Sequence, residues 1–154
     1  MASKTNPGNY FEDFRIGQEM RHATPRTITT GDVALYTGLY GSRFAVQSSD
    51  EFARRIGFDR APVDDFLAFH MVFGKTVPDV SWNAVANLGY AGGVCGAPVY
   101  PGDTLQTAAE VMDSTPSQSR PDRGRTTIQY RVYNQHGDEV ASYRATHILR
   151  RKPS

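Results

Sequence analysis

The stretch "APVDDFLAFHMVFGKTV", residues 61–77, decides the fold. Two acids, Asp64 and Asp65, precede a run whose apolar side chains point to nearly every side of a helix: Phe66, Leu67, Phe69, Met71, Val72 and Phe73. Carboxylates suit the positive end of a helix dipole, and a helix that is apolar all round is a buried one. The stretch therefore predicts one buried helix, from Asp65 to about Thr76.

Two shorter helical patterns precede this stretch, and four strand patterns follow it. The helices are "TITTGDVALYTGLY" (27–40) and "SSDEFARRIG" (48–57), each with hydroxyl residues suited to an N-cap and an acid in the first turn. The strands are "WNAVANLGYAGGV", "DTLQTAAEVMDS", "TTIQYRVYNQ" and "EVASYRATHILR", separated by turns rich in Gly, Pro and Asp. Helices come first and strands second.

The last two strands alternate apolar and polar residues, which is typical of a sheet with one face in water. Ile128, Tyr130 and Val132 alternate in one strand, and the next repeats the pattern at Ala141, Tyr143, Ala145 and Leu149. Short turns join antiparallel neighbours, and the apolar helix needs a cover. The predicted class is α+β, with an antiparallel sheet wrapped around a central apolar helix. Leu67, Met71 and Phe73 should then be almost free of solvent.

Composition excludes several function classes. The 154 residues suit one domain, and 17 basic against 16 acidic side chains leave a formal charge of +1, so no overall field favours nucleic acid or a membrane surface. A single cysteine, Cys95, allows no internal disulfide or multi-cysteine metal site and is expected to be a small buried filler. We expect a flexible N-terminus at 1–9, one domain at 10–151 and a cytoplasmic location.

The order of these segments resembles a known family. A short helix, a loop, "DEFARRIGF", "AP" before a buried helix, and "NLGYAGGVCGAPVYPGDTL" are similar to the hotdog domain of MaoC-like (R)-specific enoyl-CoA hydratases. Three sequence segments resemble one branch of this family, the N-terminal half of mesaconyl-CoA hydratases (β-methylmalyl-CoA dehydratases). They are "YFEDFRIGQ", "GDVALYTGLYGSRFAVQSSD" and "FHMVFGKTVPDVS". The resemblance implies a hotdog fold, an acyl-CoA substrate and no separate cofactor. It also implies a homodimer, or a heterodimer with a second hotdog subunit.

The family's catalytic pattern is Asp, any residue, Asn, Pro, any residue, His, any residue, Asp, whose first Asp and His form the acid/base dyad. With the last Asp placed on Asp50, Arg43 and Ser48 stand where the dyad belongs. A guanidinium stays protonated at neutral pH and cannot act as a base. A serine would need a base of its own. The dyad is missing from this chain.

Replacement catalytic residues are therefore sought on the buried helix. Asp65 is a candidate acid, with a helix cap as the alternative, and His70 is a candidate base, with a core histidine as the alternative. The family's oxyanion amide belongs to a Gly at the helix start, and Phe66 occupies that position here. An unpaired amide is still available at a helix N-terminus unless Asp64 or Asp65 accepts from it.

Six residues are predicted to bind substrate: Arg43, Ser48, Asp50, Phe66, Tyr100 and Gly102. Arg43 suits either a structural salt bridge or a free carboxylate such as that of a mesaconyl group. Tyr100 and Gly102 belong to the "VYPGDTL" turn, which the resemblance places near the acyl-CoA channel.

Three functions remain open. The first is an acyl-CoA hydratase or dehydratase acting on a branched or dicarboxylic enoyl-CoA such as mesaconyl-CoA. The second is a non-catalytic acyl-CoA-binding subunit of a hetero-oligomeric hydratase, in which another chain carries the dyad. The third is a hotdog thioesterase, with Asp65 beside the thioester carbonyl.

Overall fold

The computed structural model describes residues 8–22, 25–42 and 44–153. These residues form six strands: β1 (Glu19–Arg21), β2 (Arg26–Thr27), β3 (Ala84–Cys95), β4 (Thr104–Pro116), β5 (Arg123–Tyr133) and β6 (Glu139–Arg150). They also form three α-helices: α1 (Thr30–Tyr40), α2 (Asp50–Arg55) and α3 (Asp65–Val80). Short 3-10 turns occur at Phe11–Asp13 and Ala45–Gln47. Each helix and strand predicted from the sequence is present.

The sheet is antiparallel and runs in the order β1-β4-β5-β6-β3, with β2 also pairing with β4. The predicted alternation is confirmed in β5, where Ile128, Tyr130 and Val132 are buried. In β6 the inner face differs at one place: Ala141 is half-buried and Val140 is buried instead. A register shift between β5 and β6 adds one residue there and changes which side chain turns inward.

Helix α3 lies against the inner face of the sheet, which makes the domain a hotdog. Its buried side chains recur at helical spacing: Leu67, Ala68, Val72, Thr76 and Val80. The helix runs four residues beyond the predicted end at Thr76, through Pro78. A proline removes one backbone hydrogen bond, but Val80 is fully buried and holds the last turn against the core.

The prediction for two residues of α3 is wrong. Leu67 is buried as expected, but Met71 and Phe73 are only half-buried. The ring of Phe73 lies 5.4 Å from Tyr90 of β3, the outermost strand on that side of the sheet. Because no further strand of the described residues lies beyond β3, the side of α3 that faces it stays partly open.

The first two helices begin as the sequence predicts. In α1 the Thr29 side chain accepts from the Asp32 amide while the Asp32 carboxylate accepts from the Thr29 amide, which is a capping box. In α2 the Ser49 side chain accepts from the Phe52 amide. No residue of α1 is buried, and its Leu35 and Leu39 are about two-thirds exposed at 66% and 67%. A helix whose apolar side chains are exposed to solvent on its outer side indicates a contact surface.

The first and last described segments contact each other, since Glu12 accepts from Arg151 Nε at 2.6 Å. Asn9 donates from Nδ2 to the Asp79 carbonyl oxygen at 2.7 Å, which ties the first segment to the end of α3. Residues 1–7 of the predicted flexible segment 1–9 lie outside the described residues. No helix in the described ranges is long and apolar enough to cross a bilayer.

Buried polar side chains cross the core between α3 and the sheet. His22 Nδ1 lies 2.8 Å from Asp79 Oδ2, and the Tyr130 hydroxyl lies 3.3 Å from His147 Nε2. His147 and Thr126 face each other across β5 and β6 on the side that alternation predicts to be apolar. These polar inner-face positions were not predicted from the sequence.

We expect Leu67→Ala to lower the free energy of unfolding by about 2–5 kcal/mol, because it removes a buried side chain from the contact between α3 and the sheet. Leu35→Ala is the matched control and should change the free energy by less than about 0.5 kcal/mol, since Leu35 is 66% exposed. Urea denaturation measures both. Equal losses in the two variants would contradict the assignment of α3 as the central helix.

We expect stability to fall as the pH drops from 6.5 to 4. Burial lowers the pKa of His147 from 6.5 to about 4, so the unfolded chain binds a proton in this window that the folded chain does not. The loss should reach roughly 3 kcal/mol at most. Urea titrations at pH 7 and pH 4.5 measure it, and His147→Gln should show a flatter dependence. Parallel curves for the two proteins would show that His147 does not titrate on unfolding.

Candidate functional site

The start of α3 packs beside the turn that precedes β4. The Val63 amide donates to the Val99 carbonyl at 2.7 Å, which lays the segment before α3 along the turn. Within the turn the Tyr100 amide donates to Asp103 Oδ2 at 2.8 Å. The Gly102 amide donates to the Ile28 carbonyl at 2.7 Å. Gly102 has φ +102°, a conformation that glycine adopts readily, so the tight turn needs it.

Asp64, and not Asp65, caps α3. Asp64 Oδ1 accepts from the Phe66 amide at 2.9 Å. The resemblance assigns this Phe66 amide to oxyanion binding, but in this structure it already donates to the Asp64 carboxylate. Asp65 is the first residue of the helix and is exposed, and the Phe66 ring is 68% exposed beside it. The sequence showed two adjacent acids, and only the backbone geometry selects which one turns back onto the helix.

Asp65 faces the end of β3. Desolvation raises the pKa of the Cys95 thiol, and the neighbouring Asp65 carboxylate raises it further through its charge and a hydrogen bond. Cys95 itself is exposed, so the prediction of a buried filler is wrong. It lies on β3, the strand at the end of the sheet as formed by residues 8–22, 25–42 and 44–153.

His70 is exposed on α3, which excludes the alternative of a buried core histidine within this domain. Its ring lies 5.8 Å from that of Phe69. Five residues separate it from Asp65, and five steps around an α-helix amount to about 140° between the two side chains. The two candidates therefore lie on different sides of α3 and do not form a dyad with each other.

The polar loop before α2 is tied to the same region. Asp50 begins α2, and its Oδ1 accepts from the Ala61 amide at 2.9 Å, which fixes the segment leading to α3. Ser48 donates from Oγ to the Phe44 carbonyl at 3.3 Å. Arg43 lies outside the described residues. Asp50, Tyr100 and Phe66 are thus gathered around one short stretch, residues 60–66.

Two concavities differ in their relation to these residues. A shallow recess at the start of α3 is lined by residues of α1, the polar loop and α3, including Tyr36, Gln47 and Asp64. A wider groove of about 660 Å³ lies on the outer face of the sheet, lined among others by Arg21, Glu110 and Arg131. None of the predicted site residues that the structure describes lines either concavity. The recess adjoins the helix start at Asp64 and Leu67, where α3 and the polar loop meet.

No group of three or more His, Cys, Asp or Glu side chains in the described ranges is arranged to hold a metal ion. The charged groups near the site instead pair with one another along α2. Arg54 lies 3.5 Å from Asp50, and Arg55 pairs with Glu51. Arg60 was not predicted from the sequence as a site residue. It contacts the turn before β4 through a hydrogen bond to the Pro101 carbonyl and through the Tyr100 ring, which lies near its guanidinium. No sequence signal marks it, because its contacts are 40 residues away in the chain.

A sheet curled around one helix, with a polar loop folded over the helix start, defines a MaoC-like hotdog domain. A solved structure described as a MaoC domain protein dehydratase, from Chloroflexus aurantiacus J-10-fl, superimposes with a TM-score of 0.93 at 55% identity. The match covers 99% of this chain and 43% of that chain.

The family model described as mesaconyl-CoA hydratase matches residues 1–154, and the chain belongs to this family. It is 62% identical over 130 residues to β-methylmalyl-CoA dehydratase of Chloroflexus aurantiacus, covering 84% of this chain and 36% of the relative. It is 52% identical over 140 residues to mesaconyl-CoA hydratase of Cereibacter sphaeroides, covering 91% and 40%. The chain spans less than half the length of these relatives.

We expect Asp64→Ala to lower the free energy of unfolding by about 0.5–2 kcal/mol, because the Phe66 amide loses its acceptor. Asp65→Ala is the matched control and should cost less, since Asp65 is exposed and caps no amide in the described structure. Thermal and urea unfolding compare the two variants. A larger loss for Asp65→Ala would reverse the cap assignment.

Proposed function

We propose that this chain is one hotdog domain of an assembly that hydrates mesaconyl-CoA or a similar branched or dicarboxylic enoyl-CoA, and that catalyses the reverse dehydration. The observation that carries the proposal is the 62% identity to a protein named β-methylmalyl-CoA dehydratase. Hydration needs one group to take a proton from water and another to protonate the α-carbon of the thioester. The reaction needs no redox step, so a CoA thioester and water suffice.

Substrate contacts are proposed around residues 60–66. The exposed Phe66 ring offers an apolar surface to the acyl group, and the Tyr100–Gly102 turn lies alongside the same segment. Asp50 holds the segment in place through the Ala61 amide, and Ser48 adds a hydroxyl to the loop. Arg43 is proposed to bind the free carboxylate of the acyl group, since a guanidinium forms paired hydrogen bonds with a carboxylate.

The acid and base are proposed to be Asp65 and His70 if this domain performs the chemistry. Both are exposed on the first half of α3, so substrate or a second domain can reach them. Because they lie on different sides of the helix, they cannot act on one substrate without groups from a second domain. The proposal therefore requires the assembled pair.

One observation favours the second candidate, a binding domain without catalytic residues. The Asp64 carboxylate occupies the Phe66 amide, and a negative charge at that position opposes an oxyanion on the thioester. In this form the chain holds the acyl-CoA while a second hotdog domain with an intact Asp/His pair adds the water. The same substrate and the same assembly apply to both candidates.

The partner is proposed to be a second hotdog domain that covers β3, either another copy or a different chain. In the part of the chain that the structure describes, β3 pairs with β6 alone, and its Leu88, Tyr90 and Val94 are about half or more exposed at 59%, 48% and 60%.

We expect only a short stretch of backbone hydrogen bonds between β3 and the partner domain. Its register with β6 shifts three times along the strand, and such bulges bend a strand away from regular pairing. The exposed apolar side chains then contribute more to the contact than a long row of backbone hydrogen bonds. Sedimentation of the chain at micromolar concentration, alone and with the second domain, would detect the assembly.

We expect loss of enoyl-thioester absorbance from mesaconyl-CoA when the chain is assembled with its second hotdog domain. If Asp65 and His70 act, Asp65→Asn or His70→Ala should lower kcat/KM by about 10²-fold or more. If the chain is a binding domain, both variants should keep near-normal turnover and the chain alone should bind substrate without converting it. Asp59→Asn, an exposed carboxylate outside α3, is the matched control.

One result would contradict both candidate functions, the catalytic domain and the binding domain. Neither binding nor turnover of mesaconyl-CoA by the assembly would contradict the proposed function as a whole. Full activity of the chain alone, unchanged in Asp65→Asn and His70→Ala, would contradict both proposed catalytic residues and the need for a second domain.

A further inference from the structure

Arg60 is an exposed arginine that two contacts hold in one orientation. Its terminal nitrogen donates to the Pro101 carbonyl at 2.8 Å, and its guanidinium lies 5.4 Å from the centre of the Tyr100 ring. An arginine stacked on an aromatic ring and fixed by a hydrogen bond loses little further freedom when it binds a ligand.

Arg60 differs from the neighbouring Arg54 and Arg55 because it has no carboxylate as an ion-pair partner among the described residues. Arg54 pairs with Asp50 and Arg55 pairs with Glu51 along α2. In the described part of the chain, no acidic side chain forms an ion pair with Arg60. A guanidinium has five N–H donors, and only one is used by Pro101. Within the described residues the remaining donors form no hydrogen bond, so they are available to an anionic ligand.

The position of Arg60 fits one part of the proposed substrate. Six residues separate it from Phe66 at the helix start, a span of at most about 20 Å in an extended chain. The segment between them runs beside the turn through the Val63–Val99 hydrogen bond of 2.7 Å. In a CoA thioester the pantetheine arm separates the phosphates from the sulfur by a comparable extended length. Because this span is an upper limit, a phosphate at Arg60 and a thioester at the helix start are near enough to belong to one extended CoA thioester.

We propose that Arg60 binds a phosphate group of the CoA portion of the substrate, and that Tyr100 acts as the positioning residue that orients its guanidinium. This assignment rests on the proposed function. It predicts that the chain distinguishes a CoA thioester from a pantetheine thioester of the same acyl group, which lacks the phosphates. The acyl group would still be held at the helix start, because Arg60 does not contact it.

The test compares two ligands with one variant. Calorimetry with the assembled protein measures the Kd of a non-hydrating CoA thioester, such as a saturated acyl-CoA, and of the matching pantetheine thioester. Arg60→Ala should weaken binding of the CoA thioester about tenfold or more and leave the pantetheine thioester unchanged. Arg60→Lys should lose less, because it keeps the charge and loses the paired geometry. The Arg60 effect should also shrink as salt is raised.

Arg55→Ala is the matched control, since Arg55 is equally exposed in this region but already pairs with Glu51. It should not change either Kd. Equal weakening of both thioesters by Arg60→Ala would assign Arg60 a structural role at the turn and overturn the proposal. No weakening of either ligand would overturn it as well. In both cases the wild-type protein still binds, so the proposed function survives; wild-type protein that binds neither thioester would instead contradict the proposed function.

Discussion

The structure depends on the burial of one side of α3 (Asp65–Val80). Leu67, Val72 and Val80 must leave water, and β4, β5 and β6 supply the only apolar surface within the described residues that is broad enough to cover them. The strands turn their buried side chains inward at alternate positions, so the sheet curls around the helix. Where the helix begins, and therefore where the site lies, follows from this packing.

The same packing leaves surfaces that one domain cannot cover. The sheet ends at β3, and α1 keeps an apolar outer side in water. Both features cost free energy in an isolated domain, and packing of the proposed second domain there would remove that cost. The exposed apolar surface and the absence of the Asp/His pair therefore both agree with the proposed assembly of two hotdog domains.

Stability and chemistry compete for the first amide groups of α3. A helix start offers unpaired N–H groups that can donate either to a capping carboxylate or to a developing oxyanion. In this chain Asp64 takes the Phe66 amide, so stability of the helix is favoured over oxyanion binding. The adjacent Asp65, the exposed Phe66 and the fixed Arg60 remain directed outward, which suits holding a ligand.

The sequence by itself determined the helices, the strands, the α+β class and the absence of the family's Asp/His pair, because periodicity, caps and motif spacing are local properties. Only the tertiary structure decided that Asp64 is the cap, that Phe73 and Cys95 lie at an open edge, and that His147 is buried on the inner face. These outcomes depend on which segments meet across long stretches of chain. The contact between Arg60 and Pro101, 41 residues apart, shows the reason: the charge is visible in the sequence, but its orientation is set by a distant carbonyl oxygen.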